Sequence, residues 1–296
     1  MKNPMAILKL IRPHQWVKNL FVFLPMFFDG ELLNVAYLGA AVAAFFAFSF
    51  MASSIYCIND IKDVEGDRAH PRKCHRPVAS GAVSERTAWV ATLFLMALSV
   101  AISVICLGSG LGRVLMILGI YWLMNVAYCF RLKHVPIVDV FMVAIGFVLR
   151  LCLGGVVTDT ELSPWIVCMT FLLTLFIAVA KRRDDVVIYE REGTVVRHTS
   201  TFYNLAFLNQ TLGILASVTI VCYVLYTVSP ETVARFNSRY VYVTAVFMLA
   251  GLLHYLRLVL VENRSGDPTA IVLHDRALML CIALWLLSFL IIIYIA

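Results

Sequence analysis

The chain has 296 residues, 61% of them hydrophobic and 14% charged, with a mean hydropathy of +0.88. A soluble core of this size cannot hide so much apolar surface, whereas runs of roughly 20 apolar residues are what a bilayer demands, so soluble, disordered and disulfide-scaffold classes are excluded. The net charge of +6 is meaningful through its placement along the chain, which points to the lipid bilayer and not to nucleic acid as partner.

In chain order, nine apolar segments are expected at approximately 16–28, 36–58, 86–107, 112–130, 137–157, 164–181, 205–228, 240–260 and 277–296. The first is short, contains Pro25, and follows Lys2, Lys9, Arg12 and Lys18 in a pattern that imitates a signal peptide. No small-residue cleavage site follows Phe28, so it reads as a retained helix entering obliquely. His14, Gln15, Trp16, Lys18 and Asn19 crowd its first turns with hydrogen-bonding side chains; Lys18 either snorkels to the interface or faces a polar interior. With the N-terminus cytoplasmic, every Lys and Arg except Arg113, Arg150, Arg235 and Arg239 falls on the cytoplasmic side, as the positive-inside rule requires. The long polar loops 59–85 and 182–204 lie on that side too, and chemistry is expected there.

After the second segment comes Asn59-Asp60-Ile61-Lys62-Asp63-Val64-Glu65-Gly66-Asp67. If the helix continues to Asp67, then Asp60, Asp63 and Asp67 share one face about a turn apart. Such a row repels itself unless a divalent cation neutralises it. Hard oxygen ligands with open positions suit Mg²⁺, or Mn²⁺ in its place, holding a diphosphate. Asn59 adds an amide oxygen, and Lys73 and Arg76 follow as grips for outer phosphates; the alternative is a solvated helix end balanced by its basic neighbours. Cys74, between His70 and His75, has no second cysteine nearby to suggest zinc, and the other seven cysteines read as small buried hydrophobes.

Tyr128, Arg131, Lys133 and His134 close the fourth segment on the same cytoplasmic face. Asp139 and Arg150 share a face of the fifth but lie about 16 Å apart along it, too far to pair. After the sixth stands Lys181-Arg182-Arg183-Asp184-Asp185. Three consecutive cations cannot hold a metal. They suit a phosphate monoester, Arg by its planar fork and Lys as a point charge, unless they are only a positive-inside anchor.

The run from Asn59 to Asp67, following the second of nine helices, resembles the first aspartate-rich motif of the UbiA superfamily of intramembrane prenyltransferases. The strings NDIKDVEGDRAHPRKCHRPVASG (59–81), RPHQWVKNLFVF (12–23), AKRR (180–183) and FLNQ (207–210) are similar more narrowly to the decaprenyl-phosphate phosphoribosyltransferases. The resemblance implies one all-α domain over 1–296, a bundle of nine transmembrane helices in a bacterial cell membrane, around a polar cavity open to the cytoplasm. It implies that phosphoribosyl diphosphate (PRPP) docks through Mg²⁺ on Asp60, Asp63 and Asp67, with Lys18, Asn59, Lys73, Arg76, Tyr128 and Lys133 around it. Lys181, Arg182 and Arg183 would then bind a polyprenyl phosphate, the acceptor of the phosphoribosyl group. Most superfamily members carry a second aspartate-rich motif where this chain has its basic cluster, which places a prenyl diphosphate donor in doubt. The competing expectations are a UbiA-type prenyltransferase alkylating an aromatic or other small acceptor, and a non-enzymatic lipid-phosphate transporter; the latter gives no reason for the aspartate row. A homo-oligomer is compatible with each.

Overall fold

The computed structural model describes residues 4–69, 73–108, 110–193, 198–264, 271–272 and 274–294. Among them every regular element is helical: α1 (Pro4–Ile11), a 3₁₀ segment (Pro13–Phe23), α2 (Leu24–Phe28), α3 (Val35–Lys62), α4 (Val64–Ala69), α5 (Glu85–Cys106), α6 (Leu111–Phe130), α7 (Val138–Val157), α8 (Pro164–Glu192), α9 (Leu205–Val228), α10 (Pro230–Phe236), α11 (Thr244–Leu260) and α12 (Arg276–Tyr294), with short 3₁₀ turns between. Among the described residues eight stretches are long and apolar enough to cross a membrane: α3, α5, α6, α7, α8, α9, Arg239–Leu260 and α12. They coincide with the second to ninth segments expected from the sequence. The protein is an integral membrane protein.

The first expected segment is built differently. Residues 13–23 wind as a 3₁₀ helix of 11 residues, and only 24–28 are α-helical. Pro25 accounts for the last turn of this winding. It has no N–H to offer the Phe21 carbonyl four residues back, and the Leu24 N–H takes that carbonyl instead, an i→i−3 bond. At about 2.0 Å rise per residue the 3₁₀ segment, with the α turn after it, reaches about 30 Å, the thickness of a bilayer's hydrocarbon core.

The chain divides into two compact units, Met1–Lys133 with Gly146–Leu162, and His134–Ile145 with Ser163–Ala296. In the first unit, Val22, Phe48, Met51, Ile55, Leu118, Tyr121 and Leu153 are part of the main apolar core. The 3₁₀ segment lies on α3 through matched periodicities: Trp16 and Asn19, three apart and eclipsed on a 3₁₀ helix, donate to Ser53 (3.0 Å) and Ser49 (2.8 Å), four apart on an α-helix. Ser99 of α5 donates to the Ala47 carbonyl at 2.7 Å, a close approach that small residues allow. In the second unit α7's first turns, α8, α9, α11 and α12 share a core that includes Phe176, Leu212 and Leu258. Capping side chains fix where the spans begin: Asn34 for α3, Ser84 for α5, Ser163 with Pro164 for α8, and Asn204 for α9.

Gly154 is where the 3₁₀ segment meets α7 backbone to backbone, since a Cβ there would stand 2.2 Å from the Val22 carbonyl oxygen. Gly154→Ala is therefore expected to lower stability by roughly 3 kcal/mol or more. Gly39→Ala, where nothing lies within 4 Å, should be neutral or slightly stabilising. Thermal unfolding of the two variants in detergent checks the contrast; equal melting temperatures would contradict the contact.

Candidate active site

The first unit gathers charge at the end of α3. The expected single helix through Asp67 is not formed: α3 ends at Lys62, Asp63 caps it with φ −94° and ψ 6°, and α4 begins at Val64. The backbone stays linked across the break, Asp63 N–H to the Asn59 carbonyl at 3.0 Å and Asp67 N–H to the Asp63 carbonyl at 2.8 Å.

Each aspartate is held by a basic side chain. Asp60, 1% exposed, accepts from the Arg12 guanidinium on Oδ1, with Arg76 at 3.6 Å from the same oxygen. Asp67 is buried and accepts from Arg76 at 2.7 Å. Asp63, partly exposed, pairs with Lys133. Asp60 Oδ2 is buried and meets no hydrogen-bond partner among the described residues. Among those residues no three of His, Cys, Asp and Glu converge as a ready metal cluster.

The loop after α4 delivers Arg76. Val78 and Val83 bury themselves with Leu10, Cys57 and Val64, Arg68 donates to the Ala79 carbonyl at 3.3 Å, and Gly81 turns the chain at φ 76°. A short 3₁₀ turn after α6, Leu132–His134, delivers Lys133. Asn59 accepts from the Cys129 thiol through Oδ1 at 3.6 Å. Lys18, Lys73 and Tyr128 are half-buried residues of the same unit. His70 and Arg72 lie outside the described residues.

Two residues acquire roles that sequence reasoning did not assign. Arg12 stands between α1 and the 3₁₀ segment at φ 52° and ψ 60°, a left-handed conformation costing a non-glycine residue on the order of 1–2 kcal/mol. The signal was its place before Pro13, which disfavours continuing the right-handed helix. Arg150 has no carboxylate partner among the described residues; its guanidinium donates to Asn19 (2.7 Å), the Gly146 carbonyl (2.7 Å) and Tyr121 (3.3 Å), and lies over the rings of Phe48, Tyr121 and Phe147. A cation so dispersed among acceptors and π-faces ties the 3₁₀ segment, α6 and α7 together.

The second unit holds the basic row. Lys181 is exposed, whereas Arg182 and Arg183 are 3% and 4% exposed and engaged internally. Arg182 donates to Asp139 at 2.5 Å and to Asp185 at 3.2 Å. Arg183 donates to Asn209 (2.7 Å), the Val259 carbonyl (2.7 Å) and Asn263 (3.0 Å). Asp139 is a hub, accepting also from Thr199 (3.3 Å) and Tyr203 (3.4 Å). The Tyr203 hydroxyl in turn accepts the N–H of Ile137, a β-branched residue in the left-handed region at φ 67°. Burial pushes the Tyr203 hydroxyl above its ordinary value.

The chain matches the UbiA prenyltransferase family over residues 21–274. It belongs to that family. This UbiA chain is 33% identical over 293 residues to the decaprenyl-phosphate phosphoribosyltransferase of Mycolicibacterium smegmatis, across 95% of this chain and 90% of that one. It is 30% identical to the protein of the same name from Corynebacterium glutamicum, across 98% and 87%. Among solved structures it is similar to a UbiA homolog from Archaeoglobus fulgidus bound to DMAPP and Mg²⁺, with a TM-score of 0.70 at 20% identity over 98% of this chain and 100% of that one. The UbiA fold is therefore shown on sequence and on backbone alike.

In this UbiA chain the two buried arginines differ from Lys181 in what their loss should do. Arg182→Ala leaves Asp139 and Asp185 without their guanidinium and is expected to destabilise by about 3–5 kcal/mol. Asp139→Asn in that background should recover part of the loss. Lys181→Ala should leave the melting temperature nearly unchanged. Thermal unfolding in detergent distinguishes them, and an unaltered Arg182→Ala protein would contradict the buried pairing.

Proposed function

We propose that this protein transfers the 5-phosphoribosyl group of PRPP to a polyprenyl phosphate, giving polyprenyl-phosphoryl-5-phosphoribose and diphosphate. The observation that carries the reading is the asymmetry of the acidic groups. Asp60, Asp63 and Asp67 form one row in the first unit, whereas Asp139 and Asp185 of the second are both bound to Arg182. One acidic row suits one diphosphate held once, and a basic residue in the other unit suits a second, monoester phosphate. The two curated relatives, matched along most of their length, carry the name of that activity.

The chemistry of the donors suits a divalent cation, which has to take the aspartates from the basic side chains that pair with them. The donor set consists of hard carboxylate oxygens, an amide oxygen on Asn59, and in Asp60 Oδ2 a buried acceptor with no partner among the described residues. Asp60, Asp63 and Asp67 would hold Mg²⁺, with Mn²⁺ able to replace it, and when bound the ion would neutralise charge developing on the leaving diphosphate. Arg76, Lys73 and Lys133 bind and orient the diphosphate oxygens, with Lys18 and Tyr128 completing the donor site. Lys181 addresses the lipid phosphate, while Arg182 and Arg183 fix the stretch of α8 that carries it. A phosphate oxygen of the lipid attacks C1 of PRPP, the bond from C1 to the diphosphate oxygen breaks, and diphosphate leaves with its electron pair. No general base is needed, since a phosphate monoester is ionised at neutral pH. The N-terminus and the aspartate row are cytoplasmic in a bacterial cell membrane, where a water-soluble donor can meet an acceptor that cannot leave the bilayer.

Asp60→Ala, Asp63→Ala and Asp67→Ala should each lose most diphosphate release from PRPP and polyprenyl phosphate. EDTA should abolish the reaction, and added Mg²⁺ or Mn²⁺ restore it. Near-normal turnover in Asp63→Ala would sink the assignment. Lys181→Ala should raise KM for polyprenyl phosphate about tenfold or more, with KM for PRPP within about twofold; a PRPP-only effect in steady-state titrations would place Lys181 with the donor.

A further inference from the structure

We propose that Arg12 is a shared counter-ion: it holds Asp60 in the substrate-free protein and passes to the diphosphate of the donor when a divalent cation takes Asp60. The inference rests on the metal–diphosphate reading above and adds to it a residue and a charge exchange.

Three aspartates in the first unit face three basic side chains: Arg12 on Asp60, Arg76 on Asp60 and Asp67, and Lys133 on Asp63. The set is neutral as it stands. A divalent cation arriving by itself must displace one of these cations, and a diphosphate arriving by itself must displace a carboxylate. Arriving together they exchange partners, carboxylate oxygens to the metal and guanidinium to phosphate, with little net charge left unpaired.

Arg12 is the group best suited to exchange. Arg76 is shared by two carboxylates, and Lys133 is a compact charge without a fork. The Arg12 guanidinium engages Asp60 through one Nη, with no other hydrogen bond among the described residues, and its side chain is 21% exposed. Its Cζ lies 5.0 Å from the centroid of the Tyr56 ring, over a face along which a guanidinium can shift without losing contact. The root, by contrast, is fixed. Arg12 is left-handed before Pro13, its N–H bonds the Leu8 carbonyl at 3.2 Å, its carbonyl accepts from Gln15 at 2.9 Å, and Ser53 donates to the neighbouring Ile11 carbonyl at 2.7 Å. A fixed root with a movable fork keeps the cation in place for phosphate after Asp60 lets go.

Full-length protein in nanodiscs tests this with two readouts, Mn²⁺ uptake followed by loss of the free-ion EPR signal, and steady-state KM values. Arg12→Gly removes the guanidinium while glycine accepts the left-handed backbone. It should bind Mn²⁺ alone at least as tightly as the unmodified protein, because the nearer of the two cations that compete for Asp60 is gone and only Arg76 remains. Its KM for PRPP should rise about tenfold or more, with KM for polyprenyl phosphate within about twofold. Arg12→Lys, which keeps the charge and loses the fork, should fall between, and it carries the test if the glycine variant does not fold. Weaker Mn²⁺ binding with an unchanged KM for PRPP would overturn the exchange and leave Arg12 a structural support. If the unmodified protein takes up no Mn²⁺ even with PRPP present, the metal–diphosphate reading itself falls, and the exchange with it.

Discussion

A charge carried into hydrocarbon must bring its partner with it, because the low dielectric that makes an ion pair strong also makes a lone ion intolerable. That constraint organises both units of this protein. In the first, Asp60, Asp63 and Asp67 are each matched by a cation from a different part of the chain, and Arg150 is dispersed over an amide, a carbonyl, a hydroxyl and three rings. In the second, Asp139 and Asp185 share Arg182. Helix ends, the 3₁₀ segment and the connecting loops are arranged so that these pairs form.

The two units use the same constraint to different ends. Arg182 sits between two carboxylates while Asp139 gathers Thr199 and Tyr203, an arrangement whose members are mutually satisfied and resist exchange. The row in the first unit is balanced in charge but incomplete in hydrogen bonding, with Asp60 Oδ2 bare among the described residues and the Arg12 fork only partly engaged. A site that is neutral and under-coordinated is one that can trade partners with an incoming metal and diphosphate. The chemistry proposed above uses that exchangeable site, and the saturated cluster serves the scaffold.

The eight long spans were legible in the sequence because lipid imposes a length on any apolar helix, and the aspartate row because three acids at helical spacing need a cause. The break at Asp63 was not legible: whether a helix continues past such a residue depends on partners such as Lys133, 70 positions away. Pro25 signalled trouble in the first segment, yet a 3₁₀ winding follows only once Ser49, Ser53 and Gly154 supply a surface for a threefold ladder. Helical geometry set Asp139 and Arg150 on one face and correctly kept them apart. It gave no sight of Arg182, 43 residues on, as the true partner of Asp139. Local periodicity finds elements and rows; pairing across the chain is set by tertiary structure.

The most direct measurement supplies purified protein in nanodiscs with PRPP labelled on its 5-phosphate, polyprenyl phosphate and Mg²⁺, and follows label into the organic phase, with a prenyl diphosphate and an aromatic acceptor as the parallel arm. A single acidic row that holds a water-soluble donor predicts lipid-borne label that depends on both substrates and on the metal, with no alkylated product in the parallel arm. Alkylation of the aromatic acceptor, with label confined to the aqueous phase, would contradict it.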